Sequence, residues 1–197
     1  MRVLAINGAY RDDGATDQLV AIIGRTLQQG GATVETVVLR ERNIGFCLNC
    51  RACTQRPGEQ PGECVLRDDM QELVQRIEAS DAYVLASPTN AGSVTAVFKR
   101  FLERLIVYGY WPWGKPAPKF RKTGAKKKKA VLVATCGAPG FLGRWAFSTQ
   151  SQLAKTAGMV GAQVCGALFS GLHSEKPTVI LTPAQVKRAE ALARKLL

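Results

Sequence analysis

The sequence predicts an α/β protein in which helices cover both faces of one parallel sheet. Apolar runs of strand length alternate with longer segments whose apolar residues recur at helical spacing. Three of the runs, at residues 3–6, 83–86 and 130–134, are each followed by a loop of small and polar residues. Ligands bind outside the carboxyl ends of the strands in such sheets, so the three loops should line one pocket. We expect it to hold a flat, phosphorylated cofactor.

The first strand leads into a helix and a second strand. The helix should begin near Ala15 and end at Gly30-Gly31, because its apolar residues fall on one helical face and glycine commonly ends helices. Residues 34–39 then have the composition of a strand.

Two helices flank the third strand, at residues 83–86. Asp68 and Asp69 suit a helix start, because acidic side chains accept hydrogen bonds from the unpaired N–H groups there. The apolar face of the helix that follows this strand is formed by Val94, Val97, Phe98, Phe101, Leu102 and Leu105.

The remaining elements follow the strand at 130–134. We predict a helix over 145–158, a fifth strand over 163–169, and a last helix that begins at Thr182-Pro183. Thr182 and Gln185 have the spacing of a capping box, and proline is well tolerated at the first helical position.

Length and topology rules limit the architecture. A chain of 197 residues that is 46% hydrophobic fits a single domain, residues 1–197. Right-handed crossovers and a central pocket favour five parallel strands in the order 2-1-3-4-5. The chain enters a strand at residue 3 with no leader sequence, and no apolar run approaches the roughly 20 residues of a membrane span. We therefore expect a cytoplasmic protein that does not bind membranes.

The net charge of +12 is concentrated in one segment. Residues 115–129 carry eight Lys and Arg residues and no acidic residue, together with Pro116, Pro118 and Gly124. This composition is typical of a solvated basic loop. Steering of anionic cofactors is an alternative, and nucleic-acid binding is less favoured because no recognition motif accompanies the charge.

The first loop has the residues of a phosphate cradle. Gly8 and Gly14 would let the backbone approach an anion, and Thr16 offers a hydroxyl group. The start of the helix near Ala15 would direct N–H groups at the phosphate, and Arg11 would add a charge-assisted contact.

Four sequence blocks carry a family resemblance. They are Asn7-Gly8-Ala9-Tyr10-Arg11-Asp12-Asp13-Gly14-Ala15-Thr16, Cys47-Leu48-Asn49-Cys50-Arg51-Ala52-Cys53, residues 64–70 and residues 86–104. In this order they resemble the flavodoxin-fold NAD(P)H-dependent FMN reductases, and within them the iron-sulfur flavoproteins and their cluster-less relatives. The resemblance covers nearly the whole chain and implies a flavodoxin-like three-layer sandwich.

The resemblance also implies which residues contact FMN. They are Gly8, Ala9, Arg11, Gly14, Ala15 and Thr16 in the first loop, Pro88, Thr89, Asn90, Ala91 and Gly92 in the second, and Thr135, Cys136, Gly137 and Gly140 in the third. Three positions depart from the family pattern, since Ala9, Ala15 and Asn90 stand where it has serine, asparagine and tyrosine.

Four cysteines form the most chemically specific pattern. Cys47, Cys50 and Cys53 are three residues apart, and Cys64 follows in the same insertion, about 44–67. Soft thiolates at such spacing bind a 4Fe-4S cluster. Free or redox-labile thiols are an equal alternative, and a four-thiolate zinc site is a weaker one.

Other candidates have ordinary structural interpretations. Cys136 and Cys165 suit buried packing, and His173 suits a loop. Lys99, Glu103 and Arg104 match the family, but their spacing also fits a charged helix surface with an ion pair. The aromatic residues 108–113 belong to a basic aromatic loop, about 107–129, and could anchor that loop, cover the flavin or contact a neighbouring subunit.

The family implies hydride transfer from NAD(P)H to FMN and reduction of a small-molecule or protein acceptor, in a homodimer or homotetramer. No catalytic side chain is expected, because the cofactor carries the chemistry. One alternative is an electron carrier with a 4Fe-4S cluster. Another is a binding or regulatory module without flavin, which the departures at Ala9, Ala15 and Asn90 would allow.

Overall fold

The computed structural model describes residues 1–124, 127–171 and 178–197. In chain order, its strands and helices are β1 (Arg2–Asn7), α1 (Ala15–Gln29), β2 (Thr33–Val38), α2 (Met70–Ala79), β3 (Ala82–Asn90), β4 (Ser93–Val94), α3 (Ala96–Arg104), β5 (Gly109–Tyr110), β6 (Lys119–Phe120), β7 (Lys128–Thr135), α4 (Gly140–Ala146), α5 (Thr149–Met159), β8 (Ala162–Ser170) and α6 (Pro183–Ala193). Within these ranges, no helix is long and apolar enough to cross a bilayer.

The predicted strand order is confirmed. Five parallel strands lie in the order β2-β1-β3-β7-β8, so β7 and β8 are the fourth and fifth strands of the sequence prediction. The short β4 pairs antiparallel with the end of β3, and β5 and β6 form a separate hairpin. β1 lies between β2 and β3, where the direction of strand addition reverses, and this is the place at which such sheets bind ligands.

Alternation of side chains along the central strands builds two cores. On β1, Leu4 and Ile6 pack toward α2, α3 and α5, whereas Val3 and Ala5 pack toward α1 and α6. Successive strand residues point to opposite faces, so one strand serves both layers. Three layers result.

The predicted helix over 145–158 is wrong in its first part. Two helices occupy this region, and the chain leaves helical geometry at Phe147, which ends α4 in an extended conformation. The Ser148 N–H donates to the Gly92 carbonyl at 2.8 Å, which fixes the start of α5 to the β3–β4 turn. Trp145 therefore lies on α4, where it is 93% exposed.

Helix caps agree only partly with the sequence. The capping box of Thr182 and Gln185 is present at α6. At α2, Asp68 Oδ1 accepts the Met70 N–H at 3.1 Å, but the Asp69 carboxylate accepts the Asn43 N–H at 2.9 Å instead of capping the helix. Both aspartates thus hold the preceding chain against α2.

Candidate functional site

Three loops meet at the carboxyl edge of the sheet. In the strand register Asn7 lies opposite Ala86, and Pro88 lies opposite Thr135. The loops enclose a cavity of about 240 Å³, which is lined by Ala9, Tyr10, Arg11, Gly14, Ala15, Thr16, Pro88, Thr89, Asn90, Thr135, Cys136, Gly137 and Val179. Four residues from the sequence prediction, Gly8, Ala91, Gly92 and Gly140, do not line it.

The first loop presents the start of α1 to this cavity. Gly14 is the N-cap residue, and no side chain caps the helix there. Thr16 is buried, and its hydroxyl lies 2.8 Å from that of Thr135 at the end of β7. The first backbone N–H groups of a helix have no partner within the helix, so this edge of the cavity suits an anion.

Arg40 braces the first loop from β2's end. Its guanidinium donates to the Ala9 carbonyl at 3.0 Å and pairs with the carboxylates of Asp12 and Asp17. The Asn7 side chain donates to Asp17 at 2.6 Å and accepts the Ala9 N–H at 2.9 Å. These contacts fix the loop and place one positive charge beside two negative ones near the cavity.

Gly8 has a packing role. A Cβ at this position would lie 2.9 Å from Phe98 Cβ and 3.2 Å from the Thr95 hydroxyl oxygen. That hydroxyl donates to the Gly8 carbonyl at 2.7 Å, and the Thr95 N–H donates to Ser87 Oγ at 3.1 Å. The absence of a side chain therefore lets α3 approach the ends of β1 and β3.

The second loop is a tight turn between β3 and β4. Asn90 pairs with Ser93, and the residues between them, Ala91 and Gly92, have φ of 47° and 77°. Two positive φ values are typical of a type I′ turn, and alanine is uncommon there. The Thr89 and Thr149 hydroxyls lie 2.8 Å apart, which connects this turn to α5.

The third loop supplies the remaining wall. The Cys136 N–H donates to the Ser170 carbonyl at 3.0 Å, and its thiol contacts the Ala138 carbonyl at 3.1 Å. Burial raises the pKa of Cys136, so this thiol is protonated near neutral pH. Gly140 begins α4 and lies against Gly171, outside the cavity.

The predicted cysteines line a second cavity of about 370 Å³. Cys47, Cys50, Cys53 and Cys64 share its wall, and none of them forms a disulfide. Burial and the nearby Cys64, Cys47 and Cys50 raise the pKa of Cys53 to about 11. Within the described ranges, no three His, Cys, Asp or Glu residues are arranged to hold a metal ion.

Arg51 attaches the cysteine segment to the aromatic loop. Its guanidinium carbon lies 3.9 Å from the ring centre of Trp111 and 4.3 Å from that of Trp113, and Nη2 donates to the carbonyls of Trp111 and Pro112 at 2.6 and 3.0 Å. Cation–π contacts favour this stacked arrangement. The aromatic loop is thereby anchored on the Cys-rich insertion.

The interpretation of Arg104 as a surface residue is wrong. Lys99 and Glu103 form the expected ion pair at 3.9 Å, but Arg104 is 1% exposed and pairs with Asp68 at 2.6 Å. Burial alone would raise the pKa of Asp68, but hydrogen bonds from Arg104 and from the Gly45 and Met70 N–H groups lower this pKa below its ordinary value.

Several residues of the site were not predicted from the sequence. Arg40 and Val179 carry no motif, and they reach the first loop only through the fold; the Val179 carbonyl accepts a hydrogen bond from Gln18 of α1 at 2.9 Å. Tyr10 stands within the first loop, and its hydroxyl accepts the Val97 N–H at 3.2 Å. His173 lies outside the described residues.

Comparison with known proteins adds a family. The family model described as "NADPH-dependent FMN reductase" matches residues 1–174. An iron-sulfur flavoprotein from Archaeoglobus fulgidus is 37% identical over 112 residues, which are 57% of this chain and 49% of that protein. The chain thus spans about half the length of this curated relative.

Solved structures show a similar fold. A flavone reductase superposes with a TM-score of 0.65 at 18% identity, over 98% of this chain and 61% of its own. A flavodoxin from the domain Archaea gives a TM-score of 0.56 at 10% identity, over 100% of this chain and 96% of its own. The predicted flavodoxin-like fold is confirmed.

Proposed function

The chain belongs to the NADPH-dependent FMN reductase family, and we propose that it is an FMN-dependent oxidoreductase that takes electrons from NAD(P)H. The observation that carries the proposal is the cavity at the uncapped start of α1, where loops from three neighbouring strands converge. Such a crevice is where sheets of this order bind nucleotides.

The chemistry of this cavity fits FMN. The start of α1 and the Thr16 hydroxyl would hold the phosphate, and Arg40 offsets part of the negative charge of Asp12 and Asp17 that would otherwise repel it. The volume of about 240 Å³ is below the roughly 300–1,000 Å³ usual for ligand pockets, so part of the flavin would lie outside this cavity.

The role proposed for the chain's own residues is to bind the cofactor and to orient it. FMN supplies the redox chemistry when bound, accepting a hydride from a nicotinamide and passing electrons to an acceptor. Residues 88–90 and Gly137 would form the walls beside the flavin. The protonated Cys136 thiol adds no negative charge there. We assign no catalytic acid or base among the lining residues.

A 4Fe-4S electron carrier is a second candidate. It is favoured by the four thiols on the wall of one apolar cavity, because soft sulfur ligands suit iron–sulfur clusters. The donor chemistry fits, although the described residues are not gathered at metal-binding positions. Cys47, Cys50, Cys53 and Cys64 would be its ligands.

The deciding experiment is an absorption spectrum of protein purified without oxygen, with iron and sulfide analysis, before and after addition of NADPH. Flavin bands that bleach, without iron, would support the reductase. About four irons per chain beside FMN would favour the carrier. A colourless protein that does not take up FMN would contradict both candidates.

A pair of variants on one helix tests the phosphate site. Thr16→Val removes the hydroxyl at the cavity, and we expect FMN affinity to fall about tenfold, equivalent to about 1.4 kcal/mol for a charge-assisted hydrogen bond. The control is Thr26→Val, whose hydroxyl donates to the Ile22 carbonyl at 2.9 Å further along α1. Flavin fluorescence titration measures both affinities. Equal affinities in the two variants would place the phosphate elsewhere.

A further inference from the structure

Arg104 lies in the wall between two cavities. One is the cavity of the four cysteines, and the other, of about 800 Å³, lies between α2 and residues 60–64. Cys64 and Arg104 contact both. Arg104 Nη2 donates to Cys64 Sγ at 3.4 Å. A buried guanidinium is therefore in direct contact with one of the four thiols.

The partner of Arg104 is itself surrounded by donors. Asp68 Oδ2 accepts from Arg104 Nη1 at 2.6 Å and from the Gly45 N–H at 2.8 Å. Asp68 Oδ1 accepts from Arg104 Nη2 at 3.1 Å and from the Met70 N–H at 3.1 Å. These donors stabilise the ionised carboxylate of Asp68, so the two side chains form a charged pair whose guanidinium contacts the sulfur of Cys64.

The guanidinium also has a donor without a partner. Arg104 Nε is buried and makes no hydrogen bond to any described residue. A buried unsatisfied donor costs free energy, as does a buried charge. Apolar residues of similar volume often stabilise a protein as well as a buried ion pair does. Stability alone therefore does not account for an arginine in contact with this thiol.

We propose that Arg104 is a positioning residue for Cys64, holding its sulfur at the shared wall of the two cavities and placing the guanidinium, the positive end of the ion pair with Asp68, against it. The positive guanidinium favours anionic molecules near Cys64. The inference concerns the cysteine cavity alone and is independent of whether the protein binds FMN or oxidises NAD(P)H.

The test is a competition between iodoacetate and iodoacetamide at equal concentrations, with the products at each cysteine quantified by peptide mass spectrometry. Both reagents alkylate the same thiolate, so the accessibility and the ionised fraction of the thiol affect both products alike. Because the reagents differ in charge, the ratio of their products reports the local charge. In Arg104→Met the ratio of anionic to neutral product at Cys64 should fall about fivefold.

Three variants complete the test. Arg104→Lys keeps the charge and should keep the wild-type ratio, whereas Arg76→Met, on α2 away from both cavities, should leave it unchanged. Arg104→Met with Asp68→Asn removes both charges and should still lower the ratio, because the guanidinium is the member of the pair that contacts Cys64. An unchanged ratio in the folded double variant would show that Asp68 cancels the charge of Arg104, and an unchanged ratio in folded Arg104→Met would show that this charge does not act at Cys64; either result would overturn the proposal.

Discussion

Gly8 and Gly14, both in the first loop, differ in how much room they leave for a side chain. Gly8→Ala would place a Cβ 2.9 Å from Phe98 Cβ, which is rigidly attached to α3. We expect a loss of about 1–3 kcal/mol in the free energy of unfolding, as is usual for overpacking. Urea unfolding of the FMN-free protein measures this loss.

Gly14→Ser is the matched variant. A Cβ here would approach only Arg11, at 3.5 Å, and φ is −71°. Serine is also a favourable N-cap residue, so the free energy of unfolding should stay within about 0.5 kcal/mol or rise. FMN affinity should fall, because the serine hydroxyl would take the place of the phosphate. A stable variant with unchanged affinity would show that the phosphate does not approach Gly14.

Asp68 makes stability depend on pH. Its folded-state pKa is lowered, so its contribution is complete above an unfolded-state pKa of about 3.9 and is lost as the pH falls through the lower folded-state pKa. Asp68→Asn should cost about 3 kcal/mol near pH 7, because it leaves Arg104 buried without a charged partner. The difference from wild type should shrink below about pH 4.

The exposed ion pair on α3 provides the control for that experiment. Glu103→Gln breaks the contact with Lys99, and such exposed pairs contribute about 0.5 kcal/mol or less. Urea unfolding from pH 7 to pH 3 should therefore give nearly parallel curves for Glu103→Gln and wild type. A constant deficit for Asp68→Asn down to pH 3 would show that the pKa of Asp68 is not lowered in the folded protein.

At the scale of elements, the β3–β4 turn holds one unfavourable residue. Ala91 has φ of 47°, and left-handed geometry costs a non-glycine residue about 1–2 kcal/mol. Ala91→Asn creates the Asn-Gly pair that type I′ turns prefer, and we expect the protein to be stabilised by about 1 kcal/mol. Thermal and urea unfolding measure the gain.

A substitution of alanine in a helix is expected to change the stability of the protein in the opposite direction. Ala191 is exposed in α6, and Ala191→Gly should cost about 1 kcal/mol because glycine is a poor helix former. If Ala91→Asn also destabilises the protein, the turn depends on the small size of Ala91 against its neighbours and not on backbone preference.

Local features were predictable from the sequence, and long-range ones were not. Strand ends followed by small residues predict most of the first cavity, because carboxyl ends of parallel strands share one edge. The burial of Arg104 was not predictable, because an arginine that follows Glu103 on a helix is typical of an exposed face. Its burial depends on Asp68, which is 36 residues away in the sequence. The end of α4 at Phe147 likewise depends on the contact between Ser148 and the distant Gly92.

At the scale of the whole molecule, part of the basic charge is structural. Arg121 donates to the carbonyls of Val107, Gly58, Cys53 and Arg56, and Lys122 pairs with Glu78. The contacts of Arg121 with Cys53, Arg56 and Gly58 fasten the basic aromatic loop to the Cys-rich insertion, and that of Lys122 fastens it to α2. Arg121 and Lys122 are half-buried and held by internal contacts, so these two residues differ from the solvated basic loop that the sequence predicts.

Stabilisation by ligands tests the assignment of the first cavity on the intact fold. A ligand that binds only the folded state, at a hundred times its Kd, stabilises it by about 2.7 kcal/mol. For a chain of this size the Tm should rise by about 5–10 °C with FMN. Riboflavin has the same ring but no phosphate, so at the same concentration its shift should be much smaller. Equal shifts for the two flavins, measured by differential scanning fluorimetry, would mean that the start of α1 does not hold the phosphate and that the ring alone determines binding.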